Sequence, residues 1–150
     1  MTNILKRLIL IASLFAFLSA CAPVKSTAPV PPVMDITNPY APQPGDGALV
    51  RGTVEIVKTE ILPPGSTVSQ MTLKISFFVP TPCDQFRISA EQPGADWRIN
   101  VEVYSLMTQG KVCTLMRLST PTEATLAFSN VPAGHYSVWV NGAKAVDFDA

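Results

Sequence analysis

Apolar and polar residues alternate through most of the chain from residue 48 to residue 150. The segments LVRGTVEIV, MTLKISFFV, WRINVEVYS and ATLAFS each place apolar side chains at every second position. In the third segment the polar face carries Arg98, Asn100 and Glu102. A period of two is that of a half-buried strand, and no run of ten or more residues shows a helical apolar stripe. The pattern predicts an all-β domain over 48–150.

Turn-forming clusters separate these segments. They are PPGS at 63–66, PTPCD at 80–84, EQPGAD at 91–96, TQG at 108–110, STPTE at 119–123 and NVPAG at 130–134. Asn141-Gly142 between two short apolar runs is the strongest hairpin signal in the chain, because both residues tolerate positive φ. Seven or eight short strands at this spacing predict a single small immunoglobulin-like β-sandwich.

The segment FSNVPAGHYSVWV, near the carboxyl end, resembles the closing strand of small immunoglobulin-like sandwiches. Transthyretin-like, carboxypeptidase-regulatory and collagen-binding B-type modules share this pattern. The resemblance implies that Pro132 and Gly134 form a corner and that the Tyr136 hydroxyl bonds to upstream backbone, as in a tyrosine corner. Because these modules share no single activity, only the fold is implied. The wider set TPC, RINVEVYS and GHYSVWVNG is similar to uncharacterised bacterial envelope proteins.

The first twenty residues have the order of a secretory signal. Lys6 and Arg7 precede an apolar run from Leu8 to Leu18, which small residues follow. That run is shorter than the roughly 20 residues that a stable membrane span needs. We therefore predict a signal peptide at 1–20, with a permanent membrane helix as the weaker interpretation.

The residues Leu18-Ser19-Ala20-Cys21 resemble the lipobox of bacterial lipoproteins. The resemblance implies cleavage before Cys21 and acylation of its thiol and its new amino end, for instance by palmitate. Two or three acyl chains anchor a protein stably. Ala22 after the cysteine implies sorting to an outer membrane, facing the periplasm or the cell surface. In a cell without an outer membrane the anchor lies in the outer face of the cytoplasmic membrane. The alternative is an ordinary signal peptide with an incidental cysteine.

Residues 21–47 predict a lipidated cysteine followed by a proline-rich tether. Seven of the fourteen prolines fall within 22–47. Proline removes backbone donors and favours extended polyproline II, so the segment is predicted to form neither a strand ladder nor a core. At about 3.1 Å per residue, it would hold the next domain up to roughly 80 Å from the bilayer. The alternative function is a proline-motif ligand.

Cys83 and Cys113 remain as an even pair if Cys21 is lipidated. In an exported, oxidising compartment such a pair favours a structural disulfide. Thirty positions separate them, and closing that loop stabilises a domain by roughly 3.5 kcal/mol. A redox pair or copper thiolates are the alternatives, and no C-x-x-C spacing supports the first.

Composition does not imply a strongly anionic or cationic partner. Eleven basic residues balance eleven acidic ones, so the chain has no nucleic-acid footprint. Removing residues 1–20 takes away Lys6 and Arg7 and leaves nine basic against eleven acidic residues, a net charge near −2.

The sequence offers little catalytic chemistry. The single histidine, His135, can be written into a triad with Ser137 and Asp147, but strand residues two apart do not form nucleophile–base geometry by default. No G-x-S-x-G, H-E-x-x-H or S-x-x-K motif occurs. We predict no catalytic residue and no cofactor.

The sequence contains residues that could contribute to two kinds of metal site, and we predict neither. Copper could be held by methionines together with His135, namely Met71, Met107 and Met116. Met71, however, lies on the apolar face of its strand. Asp147 and Asp149 supply too few oxygens in sequence to specify a calcium site.

Residue parity identifies a candidate binding face. Tyr136 and Val138 share one side of the last motif, and His135 and Trp139 share the other. If the first side is core, His135 and Trp139 face outward, where an aromatic side chain can anchor a partner. We predict a non-enzymatic, lipid-anchored envelope protein that binds an unknown envelope protein or ligand through this face or through open sheet edges. The alternatives are a small metal-binding or hydrolytic envelope protein that uses His135, and a structural module of a larger complex.

Overall fold

The computed structural model describes residues 30–63, 70–113 and 120–150. The predicted signal peptide and Cys21 lie outside these residues. A short 3-10 helix spans Pro44–Ala48. The strands are β1 (Asp35–Thr37), β2 (Leu49–Thr53), β3 (Glu55–Leu62), β4 (Met71–Phe78), β5 (Gln85–Ala90), β6 (Arg98–Thr108), β7 (Thr122–Ser129), β8 (His135–Val140) and β9 (Ala143–Asp149). In the described part of the chain, no helix has the length and apolar character needed to cross a membrane.

The strands form two sheets. The four-stranded sheet has the order β1-β7-β4-β3 and is antiparallel throughout. In the five-stranded sheet β6 is central: β5 pairs with one of its edges, β2 and β8 share the other, and β9 follows β8. The β6–β8 pair is parallel. The predicted all-β sandwich is confirmed.

The core lies between the sheets, where the alternating positions predicted to face inward are buried. Leu73, Ile75 and Phe77 of β4 are inaccessible to solvent, and Ile99 of β6 is equally buried. Phe77 meets Phe86 of the opposite sheet edge to face, with ring centroids 5.0 Å apart. Burying a side chain of this size contributes about 1.5–3 kcal/mol, so the interior faces hold the sandwich together.

The described residues form nine strands, more than the seven or eight predicted. The segment LVRGTVEIV, one alternating run in the sequence, divides between β2 and β3, which belong to different sheets. The chain changes sheet at Val54. The remaining extra strand, β1, comes from the predicted tether.

The predicted boundary between tether and domain at residue 48 is wrong. Met34 is 2% exposed and belongs to the core, and Asp35–Thr37 pair with β7. The prolines do not prevent this, because they flank the three paired residues and are absent from the ladder itself. The fold therefore includes at least residues 34–47.

Residues 34–40 form a strap that joins the two sheets. On the β7 side it supplies β1. On the β5 side, the Tyr40 carbonyl accepts a hydrogen bond of 2.9 Å from the Ile88 amide, and the Asn38 side-chain amide donates to the Ile88 carbonyl at 2.6 Å. The Gln92 side chain bonds both to the Met34 amide, at 3.0 Å, and to its carbonyl, at 2.8 Å. The strap thus covers one side of the sandwich.

A two-pronged ion pair attaches the 3-10 helix to β5. Arg87 Nε and Nη2 donate to the two carboxylate oxygens of Asp46 at 2.9 and 3.0 Å. The pKa of the Asp46 carboxyl lies below its ordinary value, because it accepts a hydrogen bond from the Gln43 backbone amide and others from Arg87. This pair fixes the chain just before it enters β2.

The carboxyl-terminal motif folds as its resemblance implied. The Tyr136 hydroxyl donates to the Pro132 carbonyl at 2.9 Å. Gly134 is required because a Cβ there would lie 2.1 Å from the Trp97 ring. Asn141 and Gly142 have φ of 49° and 81° and form the predicted hairpin turn between β8 and β9.

Cys83 and Cys113 are joined by a disulfide, with Cα atoms 6.3 Å apart. The bond links the turn before β5 to the segment after β6. It therefore closes the loop that contains both strands, in agreement with the prediction.

Candidate binding groove on the outer face of the five-stranded sheet

A groove of about 670 Å³ lies on the outer face of the five-stranded sheet. β6 forms its floor, residues of β2 and β5 line its sides, and the β8–β9 hairpin closes one end. This volume falls in the range of small-molecule sites. On this face Asn100 and Glu102 are exposed to solvent, whereas Tyr104 is buried.

β6 supplies the floor through the polar half of its alternating pattern. Its inward residues, such as Val101 and Val103, are buried in the core. Arg98, Asn100 and Glu102 therefore project from the opposite face, and all three line the groove. The longest strand of the fold thus places a cation, an amide and a carboxylate in one row.

An arginine stacked on a tyrosine occupies the β2 side of the groove. The Arg51 guanidinium lies 3.6 Å above the centre of the Tyr104 ring. Arg51 also forms an ion pair with Glu102. Thr53 pairs directly with Tyr104 in the β2–β6 register, which aligns β2 with this part of the floor.

A second arginine–aromatic pair lies at the β8 side. The Arg98 guanidinium lies 3.9 Å above the centre of the Trp139 ring. Arg98 Nε donates to Asn100 Oδ1 at 2.7 Å, and the Asn100 amide donates to Glu91 at 3.4 Å. Trp139 Nε1 donates to the Ser137 hydroxyl at 3.3 Å. Hydrogen bonds to neighbouring side chains thus restrain both the guanidinium and the indole ring.

Asn141 fills the gap that β2 and β8 leave along the shared edge of β6. The β8 register ends at Val101 and the β2 register begins at Tyr104. Between them, the Asn141 side chain accepts from the Val103 amide at 2.8 Å and donates to the Val103 carbonyl at 3.0 Å. The amide therefore takes the place of a strand partner and ties the hairpin to the floor.

The two residues predicted as a binding face are separated by the structure. Trp139 lines the groove, whereas His135 does not. The His135 side chain is 67% exposed, and its Nδ1 lies 2.7 Å from a carboxylate oxygen of Asp149 at the neighbouring position of β9.

The conceivable triad is not assembled. The Ser137 hydroxyl accepts from Trp139, and Asp147 pairs with Lys144 at 2.9 Å. Among residues 30–63, 70–113 and 120–150, no three histidine, cysteine or acidic side chains are grouped as a metal site would require. The candidate lipid-attachment residue, Cys21, is outside the described residues.

A family model described as the ORF11 beta-sandwich domain matches residues 73–150. The chain belongs to the ORF11 beta-sandwich family. The match runs from β4 to β9, so this ORF11 beta-sandwich domain contains Arg98, Tyr104 and Trp139. The strap, β2 and Arg51 precede the matched residues. No curated protein and no solved structure matches the chain.

Sequence reasoning missed most of the groove of this ORF11 beta-sandwich protein. The polar face of β6 was visible as a row of alternating positions, and that signal covers Arg98, Asn100 and Glu102. The contribution of Arg51 was not visible, because it depends on β2 pairing with β6 across more than fifty residues of chain.

Proposed function

We propose that this protein is a non-enzymatic binding module, anchored by a lipid at Cys21 in the envelope of a bacterium. Its ligand or protein partner occupies the groove on the outer face of the five-stranded sheet. The observation that carries the proposal is the pair of stacked arginines in that groove, Arg51 on Tyr104 and Arg98 on Trp139. Arginine and aromatic residues are enriched at the energetic centres of binding surfaces.

The sheet edges are poorer binding surfaces than the groove. The strap covers the β5 edge through its bonds to Ile88. β3 carries a bulge and the exposed Lys58–Glu60 pair, and β9 carries the Lys144–Asp147 pair. Bulges and charged side chains are the means by which proteins prevent strand addition at edges. The groove is therefore favoured over the sheet edges as the binding surface.

The anchor would hold the sandwich nearer to the membrane than the sequence suggested. Twelve residues separate Cys21 from Met34, the first residue of the strap. At about 3.1 Å per residue in polyproline II, they reach roughly 37 Å. This is less than half of the roughly 80 Å expected for a tether that ends at residue 47. Ala22 favours attachment to an outer membrane, where one is present.

The anchor is tested with Cys21→Ser in the native host. We expect the substitution to block precursor cleavage and labelling by a fatty-acid analogue, while Cys83→Ser leaves labelling unchanged. Normal processing of Cys21→Ser would contradict the lipid anchor.

The groove is tested by a photo-crosslinking amino acid placed at one of two sites in living cells. Ser89 lines the groove. Thr125 is exposed on the outer face of the opposite sheet, which makes it the matched control. We expect a specific adduct from position 89 and none from position 125. Adducts from position 125 alone, or from neither, would contradict binding in the groove.

A further inference from the structure

We infer that the groove binds an acidic saccharide, whose ring carboxylate pairs with Arg98. This inference rests on the proposed function, since it names the ligand class of the same groove. The juxtaposition that carries it is a charged guanidinium 3.9 Å above the centre of the Trp139 ring, beside side chains that can pair with hydroxyl groups.

The charge of Arg98 has no carboxylate partner in the described part of the chain. Three arginines lie on this side of the sheet. Arg51 pairs with Glu102 and Arg87 with Asp46, whereas Arg98 has no ion pair within residues 30–63, 70–113 and 120–150. Its one side-chain hydrogen bond there runs from Nε to Asn100. Nη1 and Nη2, the nitrogens that hold a carboxylate in a forked pair, thus have no hydrogen-bond or ion-pair partner among the described residues.

Neighbouring side chains already position Arg98. The Trp139 ring holds the guanidinium from one side, and the hydrogen bond from Nε to Asn100, itself bonded to Glu91, restricts its rotation. A planar, pre-oriented fork recognises a carboxylate with little loss of side-chain entropy. A lysine at this position would provide the charge but not the geometry.

The rest of the lining offers polar groups that could bind a hydroxylated ligand. The hydroxyls of Thr53 and Ser89 make no hydrogen bond within the described part of the chain, and both line the groove. Glu91 contributes a carboxylate that accepts, so the lining contains both donors and acceptors. A polyhydroxyl ligand both donates and accepts, and its hydroxyl groups match such a lining.

The same lining disfavours a peptide bound as an added strand. The backbone of β6 is engaged by β5 on one edge and by β2, β8 and Asn141 on the other. A peptide lying across this face would contact side chains but no row of unpaired backbone N–H and C=O groups, which strand addition requires. Recognition here must therefore come from side-chain groups.

The test uses the full-length chain in detergent micelles, labelled with ¹⁵N only at tryptophan. The chain has two tryptophans, so the spectrum contains two indole signals, which Trp139→Phe assigns. Trp139 reports on the groove. Trp97 packs against Tyr136 with ring centroids 5.1 Å apart and serves as the internal reference.

The probes are matched pairs of sugars with and without a carboxylate. Glucuronate is compared with glucose, and N-acetylmuramate with N-acetylglucosamine. We expect each acidic sugar to shift the Trp139 signal at a concentration at least about ten-fold lower than its neutral counterpart, because a hydrogen-bonded ion pair contributes on this scale. The acidic sugar that binds more tightly identifies whether the source is a uronate polymer or a cell-wall glycan.

Three variants decide whether Arg98 carries the preference. Arg98→Gln is expected to remove the roughly ten-fold advantage of the acidic sugar, and Arg98→Lys to retain only part of it. Lys58→Gln removes a positive charge from the opposite sheet and is expected to leave the advantage within about two-fold. Unchanged Trp97 signals verify that the variants are folded.

Three results would overturn the inference: equal binding of the neutral sugars, a preference that survives Arg98→Gln, or no shift with any sugar. If no sugar binds but position 89 still forms its cellular adduct, the ligand class is wrong and the binding module stands. If position 89 also forms no adduct, the proposed function fails as well.

Discussion

The contribution of the strap to stability can be tested directly, because the sequence pattern predicted a tether where the structure has packed residues. Met34 is 2% exposed, whereas Val33 next to it is 70% exposed. Met34→Ala removes buried atoms and leaves a cavity, which costs about 2–5 kcal/mol. The Gln92 bonds involve only the Met34 backbone, so they survive the substitution and the loss reports packing alone. Val33→Ala is expected to change stability by less than about 0.5 kcal/mol.

The assay is urea unfolding of a chain that begins at residue 22, followed by tryptophan fluorescence. The difference between the two variants in unfolding free energy measures the burial of Met34. A second comparison uses chains that begin at residue 30 and at residue 48. The first should fold normally. The second lacks Met34, β1 and Asp46. Because the unfolding free energy of a typical domain is only about 5–15 kcal/mol, losing these contacts should leave this chain largely unfolded. Equal stability of the two point variants, or a stable chain from residue 48, would refute the strap.

Three further predictions concern the disulfide, the corner and the hairpin. Replacing Cys83 and Cys113 together by alanine should lower the unfolding free energy by about 3–4 kcal/mol in calorimetry, and an unchanged Tm would contradict the bridge. Tyr136→Phe should cost about 1 kcal/mol at neutral pH through the lost hydroxyl bond. Burial raises the pKa of the Tyr136 hydroxyl above its ordinary value. The unfolded chain therefore loses this proton at a lower pH than the folded chain, and the unfolding free energy falls as pH rises through the ordinary range of tyrosine. Urea titrations should show a smaller decrease in unfolding free energy at alkaline pH for Tyr136→Phe. Asn141→Gly keeps the turn but removes both hydrogen bonds to Val103, and it should lower the unfolding free energy by about 2–3 kcal/mol. A decrease below about 0.5 kcal/mol would mean that the Asn141 amide does not attach the hairpin to β6.

Local patterns were sufficient where one segment determines its own geometry. The alternation in β4 and β6 identified which residues are buried, because a strand presents successive side chains to opposite faces. Asn141-Gly142 predicted its turn because few residues accept positive φ, and the Tyr136 corner closes over only four residues. In each case the determining contacts lie within a few positions of one another.

Other features depend on contacts between distant segments and were not predictable in this way. Prolines around Asp35–Thr37 indicated a tether, yet the pairing of these residues with β7 is decided by a strand some ninety positions later. Trp139 was correctly placed outside the core, but its stacking with Arg98 depends on the parallel β6–β8 register. His135 shares its parity with Trp139 but lies at the opposite end of β8 from the hairpin, beyond Ser137, which pairs with the first residue of β6. The groove therefore does not extend to His135.

The most direct test of the binding groove compares surface accessibility in place and after purification. Carbene footprinting labels exposed side chains whatever their chemistry, so it can be applied both to intact envelopes and to the purified full-length chain. We expect the peptide containing Arg98 to Tyr104 to be labelled less in envelopes, and the peptide containing Glu123 and Thr125 of the opposite sheet to be labelled equally in both. Equal labelling of the first peptide, or protection of the second alone, would contradict binding at this face.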